Sequence, residues 1–201
     1  MQTFIRSLIL SCAMLGMATL CIAAGGGKIV KADPDKHFDP KGKLPSNFTV
    51  ELQNGLRKSL PFADKRDFEE AKKGFIAAPE YKQIMADAGH VAWDMGSYEF
   101  LLTDKEYDSI HPSLQRQAVL NMAYGLYEVM PDKIYQIRGY DLANITFIKG
   151  EKGWIIFDPL TAKETAAAAL KFINEQLGER PVTAVVYSHS HADHFGGVRG
   201  V

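Results

Sequence analysis

The sequence predicts an α/β fold, on three observations. Residues 154 to 187 read strand, helix, strand, the order of two parallel strands joined by a right-handed crossover. A β-hairpin precedes that unit, with Gly150-Glu151-Lys152-Gly153 as its turn. The composition, 201 residues at 46% hydrophobic and 23% charged, is that of a packed globular chain.

Taken in order, residues 1–24 read as a secretory signal. Arg6 supplies the positive end, Leu8 to Ile22 is nearly free of polar side chains, and Ala23-Ala24 offers small residues for cleavage before Gly25-Gly26-Gly27. An apolar run of about fifteen residues is short of the roughly 20 a bilayer span needs, and no second run follows, so no stable membrane span is expected. Leu20 stands where lipid attachment at Cys21 would want a small residue. Cys12 and Cys21 both fall inside this leader, which leaves His and carboxylate as the metal-binding side chains of the exported chain. Residues 25–60, rich in Gly, Lys, Asp and Pro, read as an extended arm ahead of a domain over 61–201.

Asp64 is placed to cap a short helix through Phe68 and Ala71 to Gly74, and Pro112 opens another carrying Leu114 and Ala118. From Gly125 the pattern turns strand-like: Ile134 to Arg138 alternates, while Ile145 to Ile148 and Trp154 to Phe157 are apolar. Thr161 with Glu164 predicts a capping box, Ala166, Leu170, Ile173 and Leu177 recur at helical spacing, and Gly178 supplies the stop. Val182 to Tyr187 is a short β-branched strand. Lys+Arg number 23 against 24 Asp+Glu with no basic block, which excludes a sequence-independent nucleic-acid binder.

The chemistry concentrates after that strand. Ser188-His189-Ser190-His191-Ala192-Asp193-His194 holds three of the six histidines and a carboxylate. At this composition the pattern HxHxDH arises by chance in roughly a few sequences per ten thousand, so a metal site is favoured over coincidence. In an extended loop residues two apart point the same way, so His189 and His191 can grip one ion. A turn at Gly196-Gly197 would redirect Asp193 and His194 to a second ion beside it. Two such cations lower the pKa of a shared water enough to make a nucleophile near neutral pH, with no Ser or Cys required. The loop lies at the carboxyl ends of parallel strands, where ligands of open α/β sheets gather. Asp158 closes the neighbouring strand there, either to accept the free N–H of a ligating imidazole or simply as a strand-end turn residue before Pro159, the first reading being favoured.

HxHxDH after a strand, with an acidic residue closing the strand before it, resembles the metallo-β-lactamase superfamily. Within it the chain is similar to the alkyl sulfatases. The similar stretches include Leu60-Pro61-Phe62-Ala63-Asp64, Gly74-Phe75-Ile76-Ala77, Ile134-Tyr135-Gln136-Ile137-Arg138-Gly139 and Asp158-Pro159-Leu160-Thr161. They run through the metal loop to Gly196-Gly197-Val198-Arg199-Gly200-Val201. The resemblance implies the first part of an αββα sandwich, incomplete in this chain. It implies secreted or periplasmic homodimers that hydrolyse alkyl sulfate esters with two zinc ions. His189 and His191 would serve the first zinc, Asp193 and His194 the second, with Asp193 also orienting the attacking water and the proton donor lying downstream. Half a sandwich predicts an uncovered sheet face and little activity from these residues alone.

His37, His90 and His111 read as ordinary surface or packing residues. Tyr140 and Asn144 flank a turn and read as solvated or capping groups rather than substrate contacts, and Tyr124, Tyr127, Phe147, Trp154 and Phe157 as core. Two other functions stay open: a hydrolase of another ester, a lactam or a thioester on the same fold, and a non-catalytic metal-binding module.

Overall fold

The computed structural model describes residues 44–103 and 105–201. The expected leader, both cysteines, His37 and most of the arm lie outside the described residues.

Helix α1 spans Asn47–Ser59, inside the stretch expected to be an extended arm. Ser46 caps it, its Oγ accepting the Thr49 N–H at 3.2 Å. Phe48, Leu52 and Leu56 recur every fourth residue behind that cap, a helical stripe that the surrounding Lys and Pro content obscures. Helix α2, Arg66–Glu70, also departs from expectation at its start. Lys65 takes the cap position without a side-chain bond, while the Asp64 carboxylate accepts from the N–H and guanidinium of Arg66, each at 3.0 Å. The carboxylate is taken up by Arg66, main chain and side chain together. Helix α3, Pro112–Asn121, begins at the expected proline, and His111 caps it through Nδ1, which accepts the Ser113 N–H at 3.2 Å.

The described residues contain eight strands: β1 (Phe75–Ala77), β2 (Gln83–Met85), β3 (Val91–Asp94), β4 (Gly125–Met130), β5 (Ile134–Arg138), β6 (Ile145–Lys149), β7 (Trp154–Phe157) and β8 (Val182–Val186). Six form one sheet in the order β1-β4-β5-β6-β7-β8, and β2 pairs only with β3. All neighbours are antiparallel except β7 and β8, which run parallel across helix α4 (Lys163–Leu177), as the strand-helix-strand order predicts. The β6–β7 hairpin closes at the expected turn, where the Gly150 N–H reaches the Gly153 carbonyl at 2.9 Å.

Alternation along the strands sets the two faces. Tyr135, Ile137, Ile145, Phe147, Trp154 and Ile156 are buried on one, under Ala169, Phe172 and Ile173 of α4. Each large side chain taken from water there contributes about 1.5–3 kcal/mol before entropy. Trp154 is fully buried, its indole N–H bonding the Asn174 Oδ1 at 2.8 Å. The second face, with Gln136, Arg138, Thr146 and Ile155, is half-buried, and Val129, Met130 and Val186 near its margins are exposed. Tyr127, Phe147 and Trp154 are core as expected, with Tyr124 and Phe157 half-buried.

Helix α4 starts differently from the expected capping box. Ala162 holds the cap position without a side-chain bond, because Thr161 turns its hydroxyl to Asp141 at 2.6 Å. That buried carboxylate, in the β5–β6 loop, also accepts the Thr161 and Ala162 N–H groups and the Thr165 hydroxyl. The cap comes from another part of the chain. The buried stripe of α4 is Thr165, Ala166, Ala169, Phe172 and Ile173, so Leu177 is left 37% exposed. Gly178, at φ 93°, ends the helix where expected.

Candidate metal centre

Because β7 and β8 are parallel, with Phe157 opposite Val186, the segments leaving them emerge side by side at one edge of the sheet. The Asp158 N–H binds the Val186 carbonyl at 3.0 Å. Asp158 and Leu160 then take left-handed conformations, φ 56° and 64°, which cost about 1–3 kcal/mol apiece in a residue other than glycine. The surroundings hold both. Leu160 is fully buried and its carbonyl accepts the Gly197 N–H at 2.8 Å, while the Asp158 side chain is tied to the loop after β8.

The Asp158 carboxylate gathers that loop. Its Oδ1 accepts the Ser188 N–H at 2.7 Å, and its Oδ2 accepts the Ser188 hydroxyl at 2.7 Å and lies 2.9 Å from His194 Nδ1. Burial pushes this carboxyl's pKa up, but the Ser188 N–H and hydroxyl, and then His194, outweigh it and hold the group below its ordinary value. Asp158 is therefore a carboxylate at neutral pH.

The three motif imidazoles cluster. His189 lies 4.6 Å from His191 and 4.0 Å from His194 between ring centroids. The short 3-10 turn Ala192–His194, closed by the His194 N–H on the His191 carbonyl at 3.0 Å, brings Asp193 Oδ2 to 3.2 Å from His194 Nε2. Among the described residues no three His, Cys, Asp or Glu side chains converge as a ready cage, so the donors meet in pairs. The Asp193–His194 pair suits a divalent cation. Held by Asp158 at Nδ1, His194 turns Nε2 toward the Asp193 carboxylate, a nitrogen and an oxygen donor that would together hold a divalent cation. Two ligands on a tetrahedral ion with bonds of about 2.0–2.1 Å stand roughly 3.3 Å apart, close to the spacing found.

Gly196 and Gly197 do more than permit a turn. A Cβ on Gly197 would sit 2.1 Å from the Pro159 carbonyl oxygen and 2.6 Å from that of Ala162, and one on Gly196 would sit 2.4 Å from the Thr161 carbonyl. The metal loop is thus seated directly on the backbone between β7 and α4. Further along the same edge, at the β5 end, a cleft of about 730 Å3 is lined by Trp93, Met95, Tyr98, Tyr124, Arg138 and Asn144 among others.

Tyr140 is not the solvated or capping residue its turn predicts: it is fully buried, stacked on Phe172 at 6.0 Å, its hydroxyl 3.3 Å from that of Tyr81. Burial also pushes its pKa up. Its ring outweighs its position. Ser188 and Asp141 escaped the sequence analysis. Ser188 carried a signal, being a hydroxyl beside the first histidine of the motif; Asp141 carried none, because the threonines it binds lie about twenty residues away.

Comparison with known proteins accords with this geometry. The Metallo-beta-lactamase superfamily profile matches residues 138–201, from the end of β5 through the metal loop. The chain is 53% identical over 159 residues to an (R)-specific secondary-alkylsulfatase of Pseudomonas sp., covering 79% of this chain and 24% of that protein. It is 45% identical over 160 residues to a linear primary-alkylsulfatase of Pseudomonas sp., again 79% of this chain and 24% of the other. With an alkyl/aryl-sulfatase of Saccharomyces cerevisiae it shares 43% over 157 residues, 78% and 24% of the two chains. A solved structure of a stereoselective inverting sec-alkylsulfatase from Pseudomonas sp. superposes at a TM-score of 0.74 and 51% identity, covering 79% of this chain and 25% of that one. Residues 138–201 thus match the metallo-β-lactamase superfamily, and most of the chain aligns with alkylsulfatases. It spans about a quarter of the length of these curated relatives, 24% in each case.

Proposed function

We propose that this chain is the metal-binding part of a hydrolase of alkyl sulfate esters that works with two zinc ions. The observation that carries the proposal is a loop of three clustered imidazoles and Asp193 on the Asp158 carboxylate, in a chain whose relatives are alkylsulfatases. His189 and His191 are assigned to one ion, Asp193 and His194 to the other. Bound there, the cation pair supplies the positive charge that makes water nucleophilic near neutral pH. Asp158 fixes the His194 ring through Nδ1, and Asp193 both ligates and orients the attacking water. The cleft with Trp93, Met95 and Tyr98 in its lining offers an apolar surface suited to an alkyl chain.

Export to the periplasm or medium is proposed from the leader-like residues 1–24, and homodimeric assembly from the family resemblance. Among the described residues no helix is long and apolar enough to cross a membrane. The test uses the protein that carries this chain. Dodecyl sulfate is expected to be hydrolysed and a β-lactam not, with two zinc ions per chain by elemental analysis and loss of metal in His189→Ala. Hydrolysis of the lactam alone would move the substrate to another class, and unchanged metal in His189→Ala would remove the assigned ligand.

A further inference from the structure

We propose that Ser188 is a positioning residue of the metal centre, its hydroxyl relaying the Asp158 carboxylate to His189 so that one carboxylate sets the tautomer of two ligating rings. The proposal rests on the metal reading above. Ser188 Oγ lies 2.7 Å from Asp158 Oδ2 and 2.9 Å from His189 Nδ1, and its own N–H holds Asp158 Oδ1 at 2.7 Å. A serine hydroxyl has one proton, and an ionised carboxylate only accepts. If the proton went to His189, the hydroxyl would turn a lone pair toward a carboxylate oxygen 2.7 Å away, an unfavourable contact in place of a charge-assisted bond.

The proton therefore goes to Asp158, and the oxygen lone pair accepts from His189 Nδ1–H. That places the His189 ring proton on Nδ1 and leaves Nε2 with the lone pair a metal needs. His194 reaches the same state directly, through Nδ1 on Asp158 Oδ2 at 2.9 Å. Asp158 thus orients one imidazole itself and a second through a single hydroxyl. His191 has no such support among the described contacts, so the Asp158 carboxylate reaches one imidazole of each proposed ion, His189 and His194, whose ring centroids lie 4.0 Å apart.

The test compares wild type, Ser188→Ala, Ser188→Thr, Ser188→Val and His189→Ala in the protein that carries this chain. Two readouts are needed. In metal-free protein, ring 15N–1H correlations report which His189 nitrogen holds the proton; with zinc, chelator competition reports affinity. Wild type and Ser188→Thr are expected to keep the proton on Nδ1, whereas Ser188→Ala and Ser188→Val lose that preference and bind zinc about 10–100-fold more weakly. Thr and Val have nearly the same shape, so their difference isolates the hydroxyl even if the alanine variant folds poorly. A zinc affinity and His189 tautomer that are the same in Val and Thr variants would overturn the proposal. Zinc binding untouched by His189→Ala would instead overturn the metal reading beneath it.

Discussion

Removing the Asp141 carboxylate tests whether the start of α4 is held from outside the helix. Five donors meet it: the N–H groups of Leu142 at 2.7 Å, Thr161 at 3.1 Å and Ala162 at 3.4 Å, and the hydroxyls of Thr161 and Thr165, both at 2.6 Å. A hydrogen bond to a charged group contributes about 1.5–3 kcal/mol, but the five do not add, because several donors have somewhere else to go. Thr161 is exposed and regains water, and the Thr165 hydroxyl can fall back on the Ala162 carbonyl at 2.8 Å. What remains is the half-buried Ala162 amide, the lost negative charge at a helix amino end and the space vacated beside Thr165. Asp141→Ala is expected to cost about 3–4 kcal/mol, and Asp141→Asn about 2, since an amide nitrogen cannot accept at one of the two oxygen positions. Urea unfolding by far-UV circular dichroism, with m-values compared, measures both. An alanine variant within about 1 kcal/mol of wild type would refute the account of α4 as capped from the β5–β6 loop.

Four further outcomes follow from the packing and the charges. Gly197→Ala places a methyl on two carbonyl oxygens, so thermal stability and zinc affinity are expected to fall together, by at least about 1–3 kcal/mol in stability; a loss of one without the other would separate the loop from the site. Trp154→Phe removes the bond to Asn174 and the contact beneath Arg180, whose guanidinium lies 5.5 Å from the ring centroid, and is expected to cost about 2–3 kcal/mol in the same urea assay. Asp94 is held below its ordinary pKa, first by the Gln83 amide and then by the Gly96 N–H. A depressed folded pKa gives support that is complete above the unfolded value, near about 4, and is lost as pH falls through the folded value; amide exchange in β2 and β3 should accelerate in that acid range, less so in Asp94→Asn. Finally, since the chain spans about a quarter of the length of the alkylsulfatases it matches, the 201 residues alone are expected to turn over no dodecyl sulfate, and a rate comparable with the whole protein's would contradict this.

Elements whose cause is local were legible in the sequence. The hairpin at Gly150–Gly153, Pro112 opening α3 and Gly178 ending α4 each depend on a turn residue and its neighbours. The clustering of the loop after β8 was legible because four chemistry-bearing residues fall within six positions. What failed to show depends on distant partners. Thr161 and Glu164 have the right types for a capping box, yet Asp141 competes for the threonine with a full charge. Tyr140 looks like a loop residue until Phe172 is seen to cover it. Helix α1 differs: its stripe at 48, 52 and 56 is present, but the surrounding Gly, Lys, Asp and Pro mask so short a period.

The seat of the metal loop also limits how the chain can vary. A tight contact between two side chains can be relieved by shrinking either one, so a change at the first site survives if the second changes as well. At Gly197 the opposing atoms are the main-chain oxygens of Pro159 and Ala162, which every amino acid carries. No substitution at those two positions makes room. A lineage that lost this glycine would have to reroute the backbone between β7 and α4, and with it the left-handed turn that aims Asp158.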